Sequence, residues 1–253
     1  MLVLLLKILL APLLIGLVSL AGRKWGPGIS GWLLGIPVNS GPVLLFFVLE
    51  QGREFAVHAA LGSLLGILAW ASFGLAYAWC CLRLPWWWST LLGWAAYFAV
   101  AFLLIPIKVG DAWAFVTVCA ALIVILVAFP RPAEPRTALV HEQSELWLRM
   151  ITATAIIFVL TGVARALGPR ASGILSAFPA YTTILAVFNH RLDSSAAVRV
   201  LKGVSAGLFT AASFFLALAV SLTRVSVVAA FALAILAALV VQAGSLMFVR
   251  RMA

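Results

Sequence analysis

Apolar residues run through this chain in blocks of about twenty, divided by short polar seams rich in proline, glycine and arginine, with none of the two-residue alternation that a barrel strand requires. A block of that length crosses the ~30 Å hydrocarbon layer as a helix and satisfies its own backbone there. The pattern predicts about nine spans, at 2–21, 28–49, 56–80, 85–105, 110–129, 146–164, 171–189, 198–222 and 226–249. The first lacks a basic stretch before its apolar core, so it is expected to be retained rather than cleaved as a signal.

The same pattern is written twice. Arg23, Gly26, Pro27, Ser30, Gly31, Leu33 and Pro37 recur as Arg165, Gly168, Pro169, Ser172, Gly173, Leu175 and Pro179 at a constant offset of 142. After a one-residue slip, Gly62, Gly66, Ala71, Ser72 and Phe73 fall on Gly203, Gly207, Ala212, Ser213 and Phe214. Helices one to four thus match helices six to nine, giving repeat 1 at 1–105, a connector helix and Pro-rich linker at 106–145, and repeat 2 at 146–253. Five spans separate each helix from its copy, and an odd number reverses direction across the membrane. The expected fold is an all-α polytopic membrane protein with two inverted-topology four-helix repeats in a single domain. The glycines of the third and eighth spans are expected to allow close helix packing.

Within each copy the second helix is predicted to be discontinuous. Its middle reads Gly35-Ile36-Pro37-Val38-Asn39-Ser40-Gly41-Pro42 in the first copy and Ala177-Phe178-Pro179-Ala180-Tyr181-Thr182-Thr183 in the second. Proline removes a backbone donor and drives its neighbours out of the helical region, while Asn, Ser and Thr favour the start of a new helix. Pro37, Gly41, Pro42 and Pro179 are the candidate break residues. A plain kink would need no function, but breaks at matching positions of two repeats are the sequence pointer to a transporter's midplane site.

Composition agrees: 65% of the 253 residues are hydrophobic and 9% charged, which excludes a soluble domain. A net charge of +10 would suggest nucleic acid in a soluble protein. Here the basic residues lie at span ends, so lipid headgroups are the expected contact and nucleic acid is not. Eleven of the Lys and Arg residues follow odd-numbered spans and six lie on the other side. That asymmetry predicts an amino terminus outside and a carboxyl terminus in the cytoplasm, consistent with a bacterial inner membrane. The Pro85-Trp86-Trp87-Trp88 run fits an interfacial belt, and Cys80, Cys81 and Cys119 have no metal-type spacing.

Helix starts inside a membrane present unpaired N–H groups and a positive dipole end. The candidate binding residues are therefore Asn39, Ser40, Tyr181, Thr182 and Thr183, whose hydroxyl and amide groups orient a polar or anionic solute without a permanent buried charge. Carbonyls freed at the preceding half-helix ends suit Na⁺. Glu50 and His58, expected in partly dry surroundings, and His190, Arg191 and Asp193 at the matching end of the second copy, are candidates for proton coupling or a gate. No cofactor or metal site is expected beyond a coupling ion, H⁺ or Na⁺. No nucleotide loop, HExxH or paired-carboxylate motif is present in the sequence, so an enzyme is not expected.

The stretch Ala171-Ser172-Gly173-Ile174-Leu175-Ser176-Ala177-Phe178-Pro179, with its neighbouring helices, resembles the GlpM-type small four-span membrane proteins, with Ile36-Pro37 replacing Phe178-Pro179 in the first copy. The resemblance implies duplication of a four-span unit and names no solute. The leading expectation is a secondary transporter for a small polar or anionic solute, alone or as an oligomer. The competing expectations are an accessory subunit of envelope polysaccharide or lipid synthesis, and a lipid-handling protein.

Overall fold

The computed structural model describes residues 20, 24–37, 40–107, 110–131 and 169–250. Span six, expected at 146–164, span one, expected at 2–21, apart from residue 20, and nearly all of the Pro-rich linker lie outside the described residues. Among those described, every regular element is helical: α1 Pro27–Leu33, α2 Ser40–Gln51, α3 Arg53–Cys80, α4 Trp86–Leu104, α5 Asp111–Ala128, α6 Pro169–Ser176, α7 Ala180–Leu192, α8 Ser194–Leu222 and α9 Val227–Arg250. Six stretches are long and apolar enough to cross a bilayer: α3, α4, α5, α6 with α7, α8 and α9. This is the construction of a helical membrane protein.

The long helices α3 and α8 form the centre. They lie antiparallel, because Arg53 Nη1 at the start of α3 donates to the Val225 carbonyl beyond the end of α8, 3.1 Å away, while Cys81 Sγ at the far end reaches the Ser194 carbonyl. They carry fully buried Leu64, Ile67, Phe73, Leu201, Leu208 and Phe215 in one core that extends from Leu44 to Ala238. Helices α4, α5 and α9 are peripheral and keep large apolar side chains on the outside, among them Phe102, Trp113, Val127, Val228 and Val240. In a bilayer such faces meet lipid, where exposed leucine or valine carries no penalty.

Against this centre lie the short half-helices. A methyl group on Gly31 would overlap the Val200 carbonyl, one on Gly203 the Gly28 carbonyl, and one on Gly207 the Trp32 carbonyl, so α1 presses backbone to backbone along α8. Helix α6 makes the corresponding contacts on α3: Gly173 on Ala59, Gly62 on Arg170, and Gly66 on Ile174 and Ala177. The glycines leave the backbones in contact, where dispersion forces pack helices in lipid. In both crossings residue numbers rise together, so α1 runs parallel to α8 and α6 runs parallel to α3. Gly52, at φ 88°, is the single residue that turns α2 into α3.

Candidate functional site

Each second helix is interrupted, and the two interruptions have the same hydrogen-bond plan. After α1, Leu34, Gly35 and Ile36 donate to Gly31, Trp32 and Leu33, tightening the last turn. Pro37 then supplies no donor, and its carbonyl accepts the Gly41 N–H to start α2, at 2.9 Å. After α6, Ala177 and Phe178 donate to Ile174 and Leu175, and the Pro179 carbonyl accepts the Thr183 N–H at 2.8 Å. Proline therefore acts twice, ending one half-helix and offering its oxygen to the next.

The breaks meet. Ser40, the first residue of α2, donates its hydroxyl to the carbonyl of Ser176, the last residue of α6, at 3.1 Å. Ser63 of α3 lies beside them, its Oγ 3.0 Å from both the Gly173 carbonyl and Ser176 Oγ. Ser40, Ser63, Thr182 and Thr183 are all buried. These groups form a polar seam deep between apolar helices.

The carbonyls in the last turn of each half-helix gain a second donor from a peripheral helix. Tyr97 of α4 donates to the Ile174 carbonyl at 2.8 Å. On the corresponding side, Gln242 of α9 donates Nε2 to the Trp32 carbonyl at 3.4 Å and accepts from Thr210 at its Oε1. Trp32 and Ile174 stand at the sequence offset of 142, and each is served by a peripheral helix, α9 and α4 respectively. Each carbonyl also accepts a backbone N–H, from Gly35 or Ala177, so the side chain adds a second hydrogen bond worth about 0.5–1.5 kcal/mol.

The expected binding residues fare unevenly. Asn39 lies outside the described residues. The Thr182 hydroxyl accepts the Trp70 indole N–H at 3.1 Å, and that of Thr183 accepts the Trp94 N–H at 3.2 Å while donating to the Pro179 carbonyl. Both threonines lock the start of α7 to α3 and α4. Tyr181 is half-buried and packs against Ile184 and Phe188. Gly41 has room toward Phe214, and Pro42 sits in the first turn of α2.

The candidate gate residues lie at both ends of the molecule. Glu50, near the end of α2, and His58, near the start of α3, are both exposed on either side of the hairpin at Gly52. At the other end of the molecule, His190 Nδ1 shares a 3.2 Å hydrogen bond with the fully buried Tyr77 hydroxyl, and the rings meet edge to face. Asp193 accepts the N–H groups of Ser195 and Ala196 as the cap of α8 and pairs with Arg199 at 3.4 Å. Its carboxylate is occupied by that structural task. Arg191 is exposed beside it.

Sequence reading missed Ser63, Ser176, Trp70, Trp94, Tyr97 and Gln242. Their signal was available in kind: hydroxyl, indole and amide groups in the middle of apolar spans, where each polar group requires a partner. Which partner each finds depends on helices remote in sequence. Comparison with known protein families, curated proteins and solved structures finds no match to this chain.

Proposed function

We propose that this protein is a secondary transporter that moves a small polar or anionic solute by alternating access around the two crossed breaks. The observation that supports it is the exchange of half-helices: α1 lies on α8 and α6 on α3 through corresponding glycines, with Ser40 and Ser176 joining the breaks. Since α3 and α8 are antiparallel, α1 and α6 are antiparallel too, which fits repeats of inverted topology. Such twins interconvert between inward- and outward-open forms by exchanging conformations. The duplicated GlpM-like unit would supply both halves.

The amino-terminal ends of α2 and α7 contribute positive dipole ends for an anion, and Ser40, Thr182 and Asn39 contribute polar groups. Lys24, Arg83, Arg131, Arg191, Arg199 and Lys202 belong to one end of the bundle, and Arg53, Arg170 and Arg224 to the other. This imbalance supports a cytoplasmic location for the first set. The Trp86–Trp88 run, all exposed, adds an aromatic belt on the same side.

One observation favours a scaffold instead: the hydroxyls of Thr182 and Thr183 are already engaged by Trp70 and Trp94. A stable accessory bundle of an envelope-synthesis complex would use them in this way. Uptake into proteoliposomes, screened over carboxylates, amines and phosphates, separates the two. A transporter loses uptake sharply in Asn39→Ala and Thr182→Ala while retaining its fold, whereas a scaffold shows no solute flux in any variant.

A further inference from the structure

The crossing of a half-helix on a long helix is built twice in this protein, once without hydroxyls and once with them. Where α1 meets α8, the positions corresponding to Ser176 and Ser63 are Leu34 and Val204, at offsets of 142 and 141. Where α6 meets α3, Ser63 Oγ lies 2.9 Å from the Ala59 carbonyl, 3.0 Å from the Gly173 carbonyl and 3.0 Å from Ser176 Oγ. Ser176 Oγ lies 2.8 Å from the Gly173 carbonyl, and Ser40 Oγ lies 3.1 Å from the Ser176 carbonyl. Three oxygens, the Ala59 and Gly173 carbonyls and the Ser176 hydroxyl, lie within 3.0 Å of Ser63 Oγ, and the Ser40 hydroxyl adjoins them through the Ser176 carbonyl. Apolar residues suffice to pack the corresponding crossing, so packing alone does not call for the serines.

We propose that this oxygen cluster is a binding site for a monovalent cation, Na⁺. Hard cations take oxygen ligands, and uncharged carbonyls and hydroxyls at a broken helix are the kind that replace the hydration shell of Na⁺ inside a membrane. The Gly173 and Ser176 carbonyls belong to the last turn of α6, whose dipole presents its negative end there. On binding, the three hydroxyls turn their hydrogens outward and offer lone pairs, so no proton leaves. A divalent ion is disfavoured, because no carboxylate is among these ligands to offset a second charge in a low-dielectric surrounding.

The role of this ion in coupling rests on the transport reading, whereas its binding does not. A cation at the negative end of α6, close to an anion at the positive ends of α2 and α7, offsets the charge of that anion. Loading both together then costs less than loading either alone.

The test measures thermal unfolding of the purified full chain in NaCl, KCl and choline chloride at equal ionic strength, together with equilibrium binding of radioactive Na⁺. NaCl at about ten times its Kd is expected to raise the midpoint by about 3–6 °C over choline. Ser63→Val and Ser176→Leu, the residues that the corresponding crossing carries, are expected to lose both the shift and the bound Na⁺. If either misfolds, Ser63→Ala replaces it. A wild-type protein that responds equally to NaCl and choline overturns the site, and variants that keep the full Na⁺ response overturn its location. Solute uptake unaffected by removing Na⁺ overturns the coupling role alone, while Na⁺ binding with no flux of any solute leaves the site standing and removes the transport reading.

Discussion

Ser40 donates its hydroxyl to the carbonyl oxygen of Ser176 across 3.1 Å, tying the first residue of α2 to the last residue of α6. The contact joins two interrupted helices 136 residues apart in sequence. Ser40 is buried and Ser176 half-buried, so loss of the hydroxyl removes a donor from a partly enclosed carbonyl.

The paired glycine crossings predict paired sensitivities. Gly31→Ala and Gly173→Ala each drive a methyl into a carbonyl, of Val200 and Ala59 respectively, and each is expected to destabilise by about 1–3 kcal/mol. Gly110→Ala and Gly244→Ala meet open space and serve as controls. Thermal unfolding in one detergent checks all four; a Gly173→Ala protein as stable as the controls would contradict the packing described.

Removing the side chains that serve the broken ends is expected to give matched losses. Tyr97→Phe removes the second donor to the Ile174 carbonyl, and Gln242→Leu removes that to Trp32 while leaving Thr210 without its acceptor. Tyr97→Phe is expected to lower stability by about 0.5–1.5 kcal/mol, and Gln242→Leu by more because Thr210 also loses its acceptor. The two positions serve different breaks, so the double variant is expected to show additive loss.

The threonines at the start of α7 separate anchoring from binding. Thr183→Val removes the acceptor for Trp94 and the donor to Pro179, and is expected to cost about 1 kcal/mol or more. Thr183→Ser keeps both bonds and is expected to restore stability. Indole fluorescence of Trp94, read against a Trp94→Phe reference, reports whether its N–H partner is lost.

Cysteine chemistry offers a pH-dependent check. Burial pushes the Cys81 thiol, in the turn after α3, up to about 12. The thiolate fraction is then about a thousandfold below that of an unperturbed thiol. Maleimide labelling of Cys81 is expected to stay slow between about pH 7 and 9 in the folded protein and to become fast on unfolding. Rapid labelling at neutral pH would show that the α3–α8 end is not closed as described.

Labelling also reads topology. Single cysteines replacing Arg53 and Arg170 are expected to react from one side of the membrane, and those replacing Arg83 and Lys24 from the other. Arg53 and Arg170 reacting from opposite sides would break the parallel pairing of α6 with α3.

Much of this fold is legible in the residues taken singly. Blocks of apolar sequence set the bounds of α3, α4, α5, α8 and α9 to within a few residues, since a backbone in lipid has no choice but to form a helix. Pro37 and Pro179 fixed the interruptions for an equally local reason, the missing donor. Tertiary structure decided the rest. Glu50 and His58 looked alike to His190 by their place at span ends, yet a hairpin at Gly52 leaves the first two exposed while α3 brings Tyr77 to His190. Thr182 and Thr183 read as free hydroxyls until Trp70 and Trp94 arrive from other helices. Local sequence determines where a helix starts and breaks because hydrogen bonding within it is short-range. Which buried polar group meets which depends on helix crossing, and that is fixed only when distant glycines let backbones touch.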